Sequence, residues 1–219
     1  TAAGVITLTG ANSFTGGLRV NAGGVVMGDA AVPVATRTGT LADTLDITVA
    51  SGASFTVNVA DKVRDVVNAG TVTVNAGYEV NSLRNTGTAT FNSTLVASGS
   101  LADPSGFGIL NEASGTVTLK GDVTVAGGGS DRRFRNLGAV NVANSLQIHT
   151  LGYEGSGTTA ITGTLTLDQT GASTYSGVIS GGELVKTAAG VITLTGANTF
   201  TGGLRVNAGG VVMGDANVA

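Results

Sequence analysis

Short triads of apolar, polar and apolar residues run the length of the chain. Ile6-Thr7-Leu8, Ile47-Thr48-Val49, Phe55-Thr56-Val57, Val72-Thr73-Val74, Val117-Thr118-Leu119, Val123-Thr124-Val125, Leu146-Gln147-Ile148 and Leu165-Thr166-Leu167 are examples. Alternation with a period of two predicts short strands with one buried face. No window carries the spacing of an amphipathic helix, and Gly recurs too often to sustain one. Gly punctuates the triads, often after Asn, as in Asn68-Ala69-Gly70 and Asn85-Thr86-Gly87. Both residues tolerate the positive φ of a tight corner. Successive corner glycines lie about 17 to 28 residues apart, near one turn of a β-solenoid.

Two all-β architectures compete for this pattern. A β-sandwich calls for longer strands and an aromatic centre. Here the strands are three to five residues long and Trp is absent. A parallel β-helix accounts for both, with Val, Leu and Ile stacked coil on coil at about 4.8 Å. The expected fold is a parallel β-helix of about ten coils, a rod of roughly 50 Å. Loops are expected to protrude at 28–46, 99–111, 127–136 and 149–160, where the spacing breaks. Pro33 and Pro104 fall in these stretches, as suits a residue that cannot donate to a ladder.

The chain also repeats itself. Residues 1–32 return at 187–218 with two changes, Ser13/Thr199 and Ala31/Asn217. Residues 1–186 are therefore expected to form one complete tandem unit of a β-helix. Residues 187–219 are expected to open the next, continuous with the same rod. Such a chain reads as a segment of a longer array, with adjacent units as its first partners.

Composition narrows the picture. Charged residues are 11% of the chain, yet hydrophobic residues reach 42%, too many for a disordered tract. The net charge of −3 argues against nucleic acid as a partner. No apolar run is long enough to span a membrane as a helix. There is no Cys, which removes thiol catalysis, disulfides and Cys-based zinc sites.

The stretch from Ser173 to Gly214 reads STYSGVISGGELVKTAAGVITLTGANTFTGGLRVNAGGVVMG. Its order of Gly177, Gly181, Lys186, Gly190, Gly196, Asn198, Phe200, Gly202, Gly203, Asn207 and Gly209 resembles the autotransporter-associated β-strand repeat, also called the passenger-associated transport repeat. Residues 1–28 repeat its second half, while 30–172 share only the strand-and-Gly grammar. The resemblance implies a passenger segment of a bacterial type V autotransporter. It also implies a right-handed β-helix, export through a C-terminal outer-membrane barrel, and an adhesin or stalk role at the cell surface. Coils that stack one at a time on a nucleus would resist being drawn back through a pore, and the 173–214 motif is the expected nucleus.

Candidate chemistry is sparse. The only His, His149, has no partner nearby in sequence. Gly127-Gly128-Gly129-Ser130-Asp131 approaches a calcium-solenoid repeat but occurs once. Lys120, Asp122, Asp131, Arg132, Arg133 and Arg135 could gather into a polysaccharide site if the fold brings them into one groove. Their bland reading is a solvated, locally paired surface. Lys120-Gly121-Asp122 resembles an integrin-type tripeptide, and Asn92-Ser93-Thr94 is a glycosylation sequon. Thr pairs at 71/73, 88/90, 116/118, 164/166 and 193/195 resemble the ranks of ice-binding solenoids. Irregular coil lengths are expected to break any such lattice. No catalytic, cofactor-binding or metal residue is assigned, and the chain is expected not to be an enzyme. A host-cell, matrix or glycan ligand is the expected external partner. A polysaccharide-binding or polysaccharide-cleaving β-helix is the alternative.

Overall fold

The computed structural model describes residues 4–33, 36–99, 106–126 and 133–214. Its strands wind as an all-β solenoid with parallel ladders along three faces, here called A, B and C. Face A carries Val5–Leu8, Gly24–Met27, Ser54–Val57, Thr71–Val74, Thr88–Phe91, Thr116–Leu119 and Ala139–Val142, then 158–161, 178–181 and 199–200. Face B carries 61–63, 78–80, Leu95–Ala97, Val123–Val125, Leu146–Thr150, 164–168, 183–186 and 203–206. Face C carries Leu18–Val20, Ile47–Val49, 66–68, 83–85, Ile109–Asn111, Arg133–Asn136, Gly152–Glu154, Ser173–Tyr175, Val191–Leu194 and Gly210–Met213. The first two coils run from A to C without a face-B strand, the later ones visit A, B and C in turn, and ten strands on face A among the described residues mark ten coils.

Each triad places its two apolar residues inward and its polar residue outward. Val25, Phe55, Val72, Ala89, Val117 and Val140 form one buried rank on face A, each against the same position one coil away. Burying such aliphatic side chains stabilises by about 1.5–3 kcal/mol each. At the first end the rank is uncovered, with Ile6 62% exposed, and at the other end of the rod Met213 on face C is 55% exposed.

The corner glycines serve a purpose other than the expected one. Gly70, Gly87, Gly115 and Gly138 do not adopt positive φ. They stack where face C turns into face A, so close that a Cβ on Gly87 or Gly138 would lie under 3.0 Å from the carbonyl oxygen of the corner below. The preceding Asn residues do not adopt positive φ either; their side chains turn inward. Asn68 donates to Asn85 (2.7 Å), Asn85 to Asn111 (2.9 Å) and Asn111 to Asn136 (2.9 Å), all four buried. Each Asn amide also reaches a backbone carbonyl of its own or the next corner. This chain of amides gives the corner carbonyls of Gly87 and Gly115 a second donor beside the ladder amides of Thr116 and Ala139, and links successive coils through the core.

The expected loops need correction. Residues 149–160 are not a protrusion: Leu146–Thr150, Gly152–Glu154 and Thr158–Gln169 carry a regular coil through them. The triad pattern fails there because polar and aromatic residues fill the inward positions. Tyr153 shares a hydrogen bond with Thr159 (2.7 Å), Thr159 with Tyr175 (2.8 Å), and Asn136 donates to the Tyr175 hydroxyl (3.0 Å). Phe134 meets Tyr153 edge-on at 5.2 Å between centroids and Tyr153 stacks on Tyr175 at 5.1 Å, continuing the buried column in aromatic form. Arg133–Asn136 and Ile109–Asn111 are likewise strands, which shortens two more of the expected loops. Residues 100–105, with Pro104, and 127–132 lie outside the described residues. In 28–46 no strand forms among the described residues, but Leu41 and Leu45 enter the core.

Candidate functional site

The charged candidates are set on different parts of the rod. Lys120 follows the face-A strand Thr116–Leu119, and Asp122 precedes the face-B strand Val123–Val125, where its carboxylate accepts from the Gln147 amide (2.8 Å). Arg133 and Arg135 sit on face C. Arg133 pairs with Glu154 (2.8 Å), and the Arg135 guanidinium lies over the Phe107 ring at 5.0 Å. Each described member of the set thus has a local partner of its own or a separate face. Asp131, Arg132 and the glycine run 127–129 with Ser130 lie outside the described residues.

His149 does have a partner, one that sequence proximity could not reveal. Face B stacks His149 on Asp168, with Nδ1 2.7 Å from the carboxylate. Gln147 donates to the same oxygen (3.0 Å), and the Thr187 hydroxyl lies 3.4 Å from the other. The hydroxyl therefore faces the carboxylate and not the imidazole, so the trio lacks the nucleophile–base contact that hydroxyl activation requires. Among the described residues no three His, Asp or Glu side chains converge as a metal-binding set. A shallow polar cleft near the first coils is spanned by Arg64 and Asp46, whose side chains pair at 2.6 Å. That hydrogen bond holds the Asp46 carboxyl below its ordinary range.

The Thr pairs divide among faces. Pairs 71/73, 88/90 and 116/118 stand in register on face A and continue into Ser54/Thr56. Thr164/Thr166 lie on face B, and Thr193 lies on face C. Irregular coil length does not break the face-A ladder, contrary to expectation, because insertions are absorbed elsewhere around the turn. The ordered patch is limited to four coils, bounded by Gly24/Val26 on one side and Ala139/Asn141 on the other.

The most elaborate local chemistry belongs to the 173–214 motif, and apart from the surface pair Arg205–Glu183 (2.9 Å) it is internal. Lys186 is fully buried. Its ammonium donates to the carbonyls of Gln169 (3.0 Å) and Ala188 (3.0 Å), and also to that of Thr187. It caps the corner between faces B and C, where Ala188 adopts a left-handed φ of 59°. Desolvation lowers the pKa of Lys186 from its ordinary 10.5, with nearby Asp168 opposing the shift. Gly177, Gly190 and Gly196 each lie against the backbone of the coil below, where a Cβ would stand under 3.0 Å from a carbonyl oxygen. Asn198 accepts from the Ile179 amide (2.8 Å) and donates to the Gly196 carbonyl (2.8 Å), pinning one coil to the next. Phe200 packs against the core. These residues close and stack coils.

The sign of the Lys186 shift sets a pH dependence. Between the lowered folded value and 10.5, the unfolded chain binds the additional proton, so stability rises with pH across that window. Above 10.0 the three tyrosines act the other way, since burial raises each of their pKa values and only the unfolded chain ionises readily. Urea midpoints are expected to climb towards pH 10 and fall beyond it. Lys186→Met is expected to remove the climb and leave the fall.

Three stretches, 3–27, 162–185 and 184–213, match the passenger-associated-transport-repeat family. The second and third cover the motif just described, and the first covers its returning half. No curated protein and no solved structure matches the chain.

Proposed function

We propose that this chain, a β-solenoid carrying passenger-associated transport repeats, is a stalk segment of a secreted, cell-surface autotransporter adhesin. The observation that supports this is the agreement between the matched stretches and the coil-closing geometry they form. A motif spent wholly on stacking coils suits a part whose work is reach. The segment carries no active site in this reading, and its external contact is a host-cell, matrix or glycan ligand. No helix among the described residues is long and apolar enough to cross a membrane. Export and anchoring are assigned, in this reading, to other parts of the protein. Fusion of the chain to an outer-membrane barrel tests the proposal. Surface display, read by antibody binding and protease access on intact cells, is the expected result. Retention inside the envelope, or turnover of acidic polysaccharide by the purified chain, overturns it.

The motif assists folding during export by seeding the stack. The seed in this reading is the 173–214 motif, and within it Val178–Thr187 and Val191–Leu194 are covered by a coil on both sides among the described residues. Hydrogen exchange of the 219-residue chain should show its slowest amides in Val178–Thr187 and Val191–Leu194. Faster exchange there than in Thr71–Val74 and Thr88–Phe91 would remove the seeding role.

Adjacent units are the chain's own partners in this reading. Val5 and Ile6 at one end, and Val206, Val212 and Met213 at the other, are exposed apolar positions. Their unpaired ladders are ready to accept another coil. End-to-end association is expected to grow with concentration, as read by light scattering. Association through the sides alone would count against a continuous rod.

A further inference from the structure

The two copies of the repeated sequence fold alike but lie on different faces. Val5–Leu8, Leu18–Val20 and Gly24–Met27 occupy faces A, C and A. Their counterparts Val191–Leu194, 203–206 and Gly210–Met213 occupy C, B and C. The local conformation is preserved: φ is 85° at Gly17 and 97° at Gly203, 71° at Gly23 and 70° at Gly209, 73° at Gly28 and 82° at Gly214. In both copies the VITL strand pairs directly with the GVVM strand. The difference is therefore one of position around the axis.

Counting coils shows its origin. Eight turns of face A separate 5–8 from 178–181, and two further faces, B at 183–186 and C at 191–194, complete the interval. One 186-residue unit thus spans eight and two-thirds coils. The change of frame is visible midway. In early coils a single bent strand runs from face B into C, as in Asp61–Asn68 and Tyr78–Asn85. In late coils the bent strand runs from A into B, as in Thr158–Gln169 and Val178–Thr187. The three coils between them, through 88–111, 116–136 and 139–154, have a separate strand on each face.

The long connections of the unit also share one place in the winding. Between its described strands only the connections 9–17, 28–46, 98–108 and 126–132 exceed four residues. The first two bypass face B, and the last two join face B to face C. All four therefore lead into face C.

We propose that in the tandem array each unit is turned by one face relative to the last, so that its long connections point in three directions in succession. This rests on the array reading given above. The coil spacing gives a rise of about 42 Å per unit and a return to the same side after three units, about 125 Å. The arrangement suits discrete ligands that engage one unit at a time from any side. A flat partner surface would meet the same edge only once in three units.

Two measurements test this. In the 219-residue chain, which has no native Cys, nitroxides at Thr7→Cys and Ser180→Cys stand on one face-A rank, about 38 Å apart at eight strand spacings. Thr7→Cys with Thr193→Cys pairs equivalent sequence positions on different faces, and its distance is expected to be about 5 Å longer. Equal distances, or the reverse order, overturn the coil count, and the face itself is read by the second measurement. Electron microscopy of a chain of four complete units should then show the insertions on three sides in turn. Insertions aligned on one side overturn the rotation and leave the rod intact. A particle that is not a rod overturns the array reading itself.

Discussion

Gly177→Ala is expected to cost about 4 kcal/mol or more, because the new methyl has nowhere to go. A Cβ at this position would stand under 3.0 Å from the carbonyl oxygen and carbon of Gly157 and from the carbonyl carbon of Ser156. All three are backbone atoms of the coil below, so no side chain can swing aside. Relief requires the coils to part, and parting them breaks ladder hydrogen bonds on both flanks. Gly52→Ala is the matched control. Gly52 adopts φ of 79°, and no atom lies within 4 Å of the point its methyl would occupy, so alanine there carries only the left-handed penalty. That penalty is about 1–2 kcal/mol. Urea unfolding of the two variants separates close approach from backbone handedness. If Gly177→Ala costs no more than Gly52→Ala, the packed glycine corner is not what holds neighbouring coils together.

Triads such as Val72-Thr73-Val74 encode strand, face and burial in three letters, so the solenoid and its coil number are legible in the sequence. The corner glycines are legible as corners but not in their reason. Gly70 and Gly87 look like positive-φ residues in sequence, and only the stacking of one corner on another shows that they make room for backbone. The same holds for Asn68, Asn85, Asn111 and Asn136: an Asn before a corner Gly reads as turn chemistry, whereas its amide lies in the core. Residues 149–160 pass for a loop because periodicity detects aliphatic strands, and this coil buries Thr150, Tyr153 and Thr159 instead. The His149–Asp168 pair and the carbonyl cage of Lys186 depend on contacts one coil away, and strand register cannot be read from a variable coil length. The fractional coil count is hidden for the same reason. A repeat of 186 residues fixes where the sequence returns, not where around the axis it arrives.

Asn111→Leu is the second large effect, expected at about 3–5 kcal/mol in urea unfolding. Leucine fits the volume but strips four hydrogen bonds from a fully buried site. Asn111 donates to Asn136 (2.9 Å) and to the carbonyls of Gly115 (3.2 Å) and Ala139 (3.0 Å), and accepts from Asn85 (2.9 Å). Its removal takes the donor from the Asn136 side-chain oxygen and one donor each from the Gly115 and Ala139 carbonyls, in a site closed to solvent. Adding Asn85→Leu is expected to cost less than its separate effect, because one amide of the broken chain is then already gone; the coupling should be about 0.5–3 kcal/mol. The outer amide row gives the contrast. Asn92 donates to Asn75 (2.6 Å) on an exposed corner, where water can take over both groups. Asn92→Leu is therefore expected to shift stability by about 1 kcal/mol or less. Similar costs for Asn92→Leu and Asn111→Leu would show that the buried ladder contributes through its shape alone, and that the polar seam adds nothing to the cohesion of the rod.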